Sequence, residues 1–375
     1  MTESQHAAPE VGPYLKLMVQ KGASDLFVST GTPVHLKIEG RMVAVGNAPL
    51  NSEQVRRLSY SVLTPEQIEE FEKGLEFNLG LSIHGLGRFR INLFRQRGDV
   101  AMVVRYIKSS IPKLDELGLP PILKQLILEP RGLVLVVGAT GSGKSTTLAA
   151  MIQYRNERKG GHILTIEDPI EYLFHHARSL VNQREVGMDT LSYQHALRNA
   201  MREAPDVIMI GEIRDRETMQ AAIAYAETGH LCLSTLHANN ANQALDRIIN
   251  FFPETARQQV YMDLSLNLRA VVSQRLLPAV DGDRVAAVEV MLLSSYISDL
   301  ILQGDTHGLK EAMEQSETRG MRTFDQALFD LYQAKRIDLD TALANADSRN
   351  DLALKISLSE GGQAKRGSLG GLHEL

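Results

Sequence analysis

The stretch Val134-Leu135-Val136-Val137-Gly138-Ala139-Thr140-Gly141-Ser142-Gly143-Lys144-Ser145-Thr146-Thr147 joins an apolar β-run, a glycine-rich turn and a helix start. Glycines at 138, 141 and 143 let the backbone curl so that successive N–H groups point inward, and the following helix turns its positive end to the same point. The spacing G-x-x-x-x-G-K-S predicts a phosphate cradle formed by Gly138, Ala139, Thr140, Gly141, Ser142, Gly143, Lys144, Ser145 and Thr146. In such a cradle Lys144 reaches the β- and γ-phosphates and the Ser145 hydroxyl offers one ligand to the magnesium ion of a nucleoside triphosphate. Thr146 serves the α-phosphate side. ATP and Mg2+ are therefore the expected ligands.

Hydrolysis also needs a placed water and a held metal, so acids at the ends of neighbouring strands come next. Glu167-Asp168-Pro169-Ile170-Glu171 follows the run 163–166, and Pro169 forces the chain out of the strand at its carboxyl edge. Gly211-Glu212-Ile213-Arg214-Asp215 follows the apolar run 207–210, with a glycine where an aspartate normally precedes the glutamate. Glu212 is expected to bind magnesium, partly through water, or to share water orientation with Glu167; the two roles are left undivided. Asp168, Glu171 and Arg214 are supporting candidates. Two histidines bracket the strand 231–236: His230 at its start reads as structural, and His237 at its carboxyl end as a sensor of the γ-phosphate. No cysteine or carboxylate stands at zinc-ligand spacing to them.

The 375 residues are 43% hydrophobic, enough for two or three folded domains. A net charge of -5 and a pI near 6.1 give no broad footprint for nucleic acid, which is not an expected partner. The single cysteine, Cys232, excludes an intrachain disulfide and a four-cysteine zinc site and places the chain in a reducing compartment. No run approaches the ~18 apolar residues of a membrane span, and no signal peptide is read. Membrane contact is expected only through a partner.

Short strands at 26–29, 34–38 and 42–45 follow a helix at 14–19, and Asn51 and Thr64 read as N-caps of two short helices. Phe89, Ile91 and Leu93 then alternate with Arg88, Arg90 and Asn92, and Gly98-Asp99 returns the chain into 100–107. This is a hairpin with arginines along one face. Such a row is either solvated or, in an oligomer, a source of a guanidinium that crosses to a bound γ-phosphate; Arg88, Arg90, Arg95, Arg97 and Arg105 are the candidates. Four prolines, at 112, 120, 121 and 130, around a short amphipathic piece mark 113–130 as an interdomain linker. Beyond it, apolar strands alternate with helical runs, which predicts an α/β fold with a mostly parallel sheet covered by helices. Helical stripes such as Phe324, Leu328 and Leu331 follow, and 361–375 reads as a disordered, glycine-rich tail.

Taken together, the segments GATGSGKS, ILTIEDPIEY, DVIMIGEIRD and TGHLCLSTLHANNA resemble the secretion-type hexameric ATPases, and among them the type IV pilus retraction family of the PilT and PilU kind. The resemblance implies a PAS-like N-terminal domain (1–112), the linker, a RecA-like P-loop ATPase core (131–292), a helical C-terminal region (293–360) and the tail. It implies that Glu167 belongs to an Asp box, Glu212 to a Walker B motif, and His230 and His237 to a His box. It further implies a homo-oligomer, a hexamer with nucleotide between subunits, located in the cytoplasm at the inner face of the inner membrane. Its partners there would be a pilus platform protein and a second retraction ATPase. One cysteine cannot build the four-cysteine zinc element of extension and secretion motors, which disfavours that branch. The segment 296–303, Tyr-Ile-Ser-Asp-Leu-Ile-Leu-Gln, keeps the apolar spacing of the A-I-R-N-L-I-R-E segment of principal retraction motors without its arginines and terminal acid. The resemblance is therefore to the accessory, PilU-like branch. The expected function is an ATP-hydrolysing ring that powers or assists pilus retraction. Its alternative is a nucleotide-binding module that strengthens a partner ring with little turnover of its own.

Overall fold

The computed structural model describes residues 10–107, 110–316 and 318–369, which divide into two compact units. The first contains the chain up to 110 together with 169–174 and 187–189. Its elements are α1 (Gly12–Gln20), β1 (Asp25–Val28), β2 (Val34–Ile38), β3 (Arg41–Val45), α2 (Ser52–Tyr60), α3 (Pro65–Gly74), β4 (Glu76–Ile83), β5 (Gly87–Gln96) and β6 (Asp99–Ile107). Capping boxes start both middle helices, Asn51 with Gln54 and Thr64 with Gln67, so each satisfies backbone N–H groups that a helix start leaves unpaired. The six strands pair antiparallel in the order β3-β2-β1-β6-β5-β4 over a core that includes Leu15, Leu26, Phe71, Phe89, Ile91 and Leu93.

The arginines of the β5–β6 hairpin do not share one face. Side chains alternate along a strand, so Arg88 and Arg90 lie opposite Phe89 and Ile91, whereas Arg95 is in step with the buried set. There it pairs with Glu72 and lies over the Phe71 ring at 5.5 Å. Arg97 occupies the hairpin turn at φ 52 beside Gly98 at φ 87, the left-handed pair that primed turns require. Arg105 stands opposite Arg90, and its Nε donates to Asp25 at 2.8 Å. Strand β4 escapes the sequence reading because Asn78, Gly80 and Ser82 interrupt it with weak strand formers; its pairing with β5 supplies what propensity does not.

The second unit starts at Ile111, and the stretch read as a linker belongs to it. A 3-10 turn (Leu114–Leu117) and α4 (Ile122–Leu126) bury Leu114, Leu123, Leu126 and Ile127. The buried Arg155 guanidinium donates to the Ile127 and Glu129 carbonyls at 2.7 and 3.0 Å. The prolines of 113–130 limit regular structure, but the leucines between them dock, so the segment is a fixed part of the unit.

Its sheet is built from β7 (Gly132–Val137), β8 (Gly161–Glu167), β9 (Ser179–Glu185), β10 (Val207–Ile210), β11 (Leu231–Leu236), β12 (Leu268–Pro278) and β13 (Arg284–Leu292) in the order β13-β12-β7-β11-β10-β8-β9. All neighbours are parallel except β12 and β13. The helices α5 (Lys144–Arg158), α6 (Tyr193–Ala200), α7 (Arg216–Glu227), α8 (Ala241–Asn250) and α9 (Glu254–Asn267) connect these strands. Strands β7 and β11 are buried along their full length, as parallel strands between helical layers are. The buried stripe of α6, Ala196, Leu197 and Ala200, ends with the helix, because Ala204 turns to φ 50 and Met201 is exposed.

Helices α10 (Ser295–Gln303), α11 (Gly308–Glu314), α12 (Phe324–Gln333), α13 (Leu339–Ala344) and α14 (Arg349–Leu369) complete the unit. Phe324 and Leu328 anchor a satellite core with Leu352 and Ile356. The expectation of disorder over 361–375 is corrected for 361–369, which continue α14. A helix nucleated by packing at its start propagates through good formers such as Ala364, Lys365 and Arg366 despite three glycines. Residues 370–375 lie outside the described residues.

Candidate active site

Parallel pairing brings the carboxyl ends of β7, β11, β10 and β8 to one edge, where an open α/β sheet receives its ligands. The phosphate loop leaves β7 there. Gly138 sits at φ 154, and a Cβ on it would lie 2.4 Å from Ser142 Oγ and 2.5 Å from the Gln274 carbonyl, so no other residue fits. Lys144, the first residue of α5, folds its ammonium over the loop and donates to the Gly138 and Ala139 carbonyls, both at 2.9 Å. Ser145 and Thr146 follow in the first helical turn, half-buried.

Gln274 of β12 supports the loop from below. It is buried, its Oε1 accepts from Thr147 Oγ1 at 2.8 Å, and its Nε2 lies 2.9 Å from where a Cβ of residue 143 would be. The sequence reading missed it together with β12, whose apolar residues are broken by Arg269, Ser273, Gln274 and Arg275 and which follows directly on α9 without a turn signal. Ser142 is buried, and its Oγ has no hydrogen-bond partner among the described residues.

Glu212, just past β10, is held at both oxygens: Arg214 Nε donates to Oε2 at 2.5 Å and His237 Nε2 to Oε1 at 2.8 Å. The Glu212 hydrogen bond raises the already high pKa of Arg214, so the guanidinium is a permanent cation beside it. Burial lowers the pKa of His237, and the Lys144 ammonium lowers it further against the opposing pull of Glu212. His237 is therefore neutral near pH 7, carries its proton on Nε2 and leaves Nδ1 as an acceptor. If the neutral ring is needed for turnover, the acidic limb of kcat/KM should lie below the ordinary histidine range. A pH profile of the unaltered chain beside that of His237→Gln checks this, the limb being absent from the variant.

Glu167, at the end of β8, is buried and accepts from Thr165 Oγ1 at 2.6 Å and Gln183 Nε2 at 3.2 Å. The segment 210–213 is fastened to the next strand by Ser234 Oγ on the Ile210 carbonyl, Thr235 Oγ1 on the Gly211 carbonyl and the Ile213 amide on the Thr235 carbonyl, at 2.8, 2.7 and 2.9 Å. Gly211 itself is dictated by crowding. A Cβ there would lie 2.9 Å from the Tyr193 hydroxyl and 3.3 Å from Glu167 Cα and the Ile166 carbonyl. Gly211→Ala is expected to destabilise the unit by about 1–3 kcal/mol, read as a lowered denaturant midpoint with unchanged slope.

Tyr193, the first residue of α6, is a second site residue that no motif flagged. Burial raises its pKa, and Asp168 raises it further, so it stays a neutral phenol beside Glu167 and Glu212. Asp168 is exposed at the tip of β8. Glu171 is exposed and belongs to the first unit, as do all five candidate arginines. His230 stands at the other end of β11, roughly 20 Å from His237 at about 3.3 Å per strand residue. There its Nδ1 lies 3.2 Å from Thr228 Oγ1, in keeping with a structural part. Beyond His237 the chain is pinned by buried Glu289, which accepts from the Ala241 amide at 2.8 Å and from Ser273 Oγ at 2.9 Å. Burial lifts the Glu289 carboxyl to about 7.

Residues 2–327 match the family model described as type II/IV secretion system protein. The type IV pilus ATPase PilU of Pseudomonas aeruginosa is 55% identical over 345 residues, 92% of this chain and 90% of that one. The type IV pilus retraction ATPase PilT of the same organism is 41% identical over 337 residues, 90% and 98% of the two chains. A crystal structure of the pilus retraction motor PilT with bound ADP superposes with a TM-score of 0.84 at 40% identity, covering 90% of this chain and 97% of that one.

Proposed function

The chain belongs to the type II/IV secretion system protein family, among its type IV pilus retraction ATPases, and from this premise we propose how its residues hydrolyse ATP. The observation that carries the reading is the convergence of Lys144, His237 and Glu212 at one sheet edge beside a glycine-enforced loop. The amides of 138–146 and the start of α5 hold the phosphate chain by hydrogen bonding and helix polarity. Lys144 exchanges its two loop carbonyls for the β- and γ-phosphate oxygens. A magnesium ion suits the oxygen donors present: the Ser145 hydroxyl directly, and Glu212 through water, since both Glu212 oxygens already accept hydrogen bonds. When bound, that ion would neutralise charge on the β- and γ-phosphates.

Glu212, held at both oxygens by Arg214 and His237, polarises the attacking water. Glu167, buried and fixed by Thr165 and Gln183, sets the orientation of that water from the neighbouring strand. His237, neutral and with its Nε2–H on Glu212, leaves Nδ1 to accept a hydrogen bond from a water beside the terminal phosphoryl group. The first unit carries the PAS-like part and the second the RecA-like core. In a hexameric ring, arginines of the first unit complete the nucleotide site of a neighbouring subunit. Arg95 and Arg105 hold Glu72 and Asp25 and would have to give up those carboxylates to reach a neighbouring site.

The ring acts in the cytoplasm on the inner-membrane platform of the pilus and assists a principal retraction motor. The accessory placement is supported by the higher identity to PilU than to PilT and by the 296–303 segment, where exposed Tyr296 and Leu302 replace an alanine and an arginine. A strain lacking this chain should still assemble pili and retract them poorly, with retraction restored by the unaltered gene. Normal retraction force in the deletion strain would contradict the proposal.

A further inference from the structure

Gly211 keeps a space open between β10 and β8, and the hydroxyl of Tyr193 stands in it. The glycine's φ lies outside the left-handed region, so its missing side chain answers crowding alone, and the atom nearest to where a Cβ would be is the Tyr193 oxygen at 2.9 Å. The chain around the phenol is well fastened. Thr190 bridges Val186 after β9, and Ser192 then caps α6, its Oγ accepting from the His195 amide at 3.1 Å. Tyr193 is thereby the first helical residue, half-buried, with its ring packed against the core of the sheet. The charges its oxygen faces are the carboxylates of Asp168, Glu167 and Glu212 and the Arg214 guanidinium. Nearby hydroxyls are committed: Thr165 donates to Glu167, Ser234 to the Ile210 carbonyl and Thr235 to the Gly211 carbonyl. That of Tyr193 has no hydrogen-bond partner among the described residues, although a tyrosine with its ring in a core ordinarily finds one.

We propose that Tyr193 is a further catalytic residue whose hydroxyl donates a hydrogen bond to the attacking water, an inference that rests on the ATP-hydrolysing function proposed above. A water molecule has two protons and two lone pairs. Glu212 and Glu167 take the protons, which leaves either lone pair able to turn toward phosphorus. A donor on one lone pair gives the other a single direction, and the water is then held in its attacking pose. The carboxylates are acceptors, and the His237 Nε2–H and Arg214 Nε–H both lie on Glu212. Of the hydroxyls around Gly211, that of Tyr193 is the one left to donate. A phenol ordinarily loses its proton only near pH 10, so the donor persists at neutral pH. As the water oxygen bonds to phosphorus, one of its protons passes to Glu212 and on to solvent and the other stays on the phosphate. The bond from phosphorus to the ADP oxygen breaks with its electron pair on ADP, and Tyr193 keeps its own proton throughout.

The test compares the full chain with Tyr193→Phe in single-turnover hydrolysis and in equilibrium ATP binding. The substitution keeps the ring and breaks no hydrogen bond within the protein, so kcat should fall about tenfold or more while ATP affinity and the denaturant midpoint stay as they were. A second measurement reads the hydroxyl without activity. Gly211→Ala should lower the denaturant midpoint of the unaltered chain and lower it less in the Tyr193→Phe background, where the atom closest to the new methyl is gone. Equal losses in the two backgrounds would put the hydroxyl elsewhere and overturn the proposal. Hydrolysis by Tyr193→Phe within twofold of the unaltered chain would do the same, as would a fall in ATP affinity that accounts for the whole loss of rate. Failure of Tyr193→Phe to fold would show the hydroxyl to be bound within the protein, which also overturns it. Absence of hydrolysis by the unaltered chain overturns the ATP-hydrolysing function itself, a result distinct from hydrolysis that Tyr193→Phe leaves intact.

Discussion

Glu212→Gln is expected to slow ATP hydrolysis by about 10²–10³-fold while ATP affinity changes only a few-fold. The substitution keeps size and hydrogen-bonding capacity but removes the negative charge that Arg214 and His237 converge on. In the proposed mechanism that charge polarises the attacking water and would hold a water on magnesium, so its loss should weaken both. The phosphate chain is held elsewhere, by the loop amides and Lys144, so binding persists. Single-turnover phosphate release beside equilibrium nucleotide binding separates the two effects. A hydrolysis rate within a few-fold of the unaltered chain would remove Glu212 from the chemistry and pass its role to Glu167.

Lys144→Ala should act on both quantities. The ammonium lies within 2.9 Å of two loop carbonyls, so its removal takes away both a phosphate ligand and a stay of the empty loop. Loss of a charge-assisted contact weakens ATP by about 2 kcal/mol or more, roughly 30-fold. Because charge grows on the phosphoryl oxygens during transfer, the rate at saturating ATP should fall by a further 10²-fold or so. Fold stability should stay close to that of the unaltered chain, since the side chain is only partly buried.

The loop and its acids were legible in the sequence because their constraints are local. Glycines at fixed offsets after an apolar strand admit few conformations, and an acid directly after an apolar run can only stand at a strand end. Gln274 and Tyr193 were not legible, since each reaches the site across the sheet or from a separate helix. Strand β9 carries polar residues at an edge and β12 has no turn before it; both depend on pairing that only the folded sheet provides. The segment 113–130 misled for the converse reason: prolines signal local irregularity, and they are silent on whether the irregular chain docks. Composition likewise marked 361–375 as disordered, whereas 361–369 continue a helix started by packing upstream. The arginine row was read as one face, and the two-residue period of a strand assigns Arg95 to the other.

The cradle at 138–146 is the centre of this account, and phosphate release from Mg-ATP by the purified chain tests it most directly. The unaltered chain, alone or mixed with a principal retraction motor inactivated in its own phosphate loop, should release phosphate continuously, and Lys144→Ala should fall to the background of the mixture without it. Equal release by the unaltered chain and by Lys144→Ala, under both conditions, would contradict it.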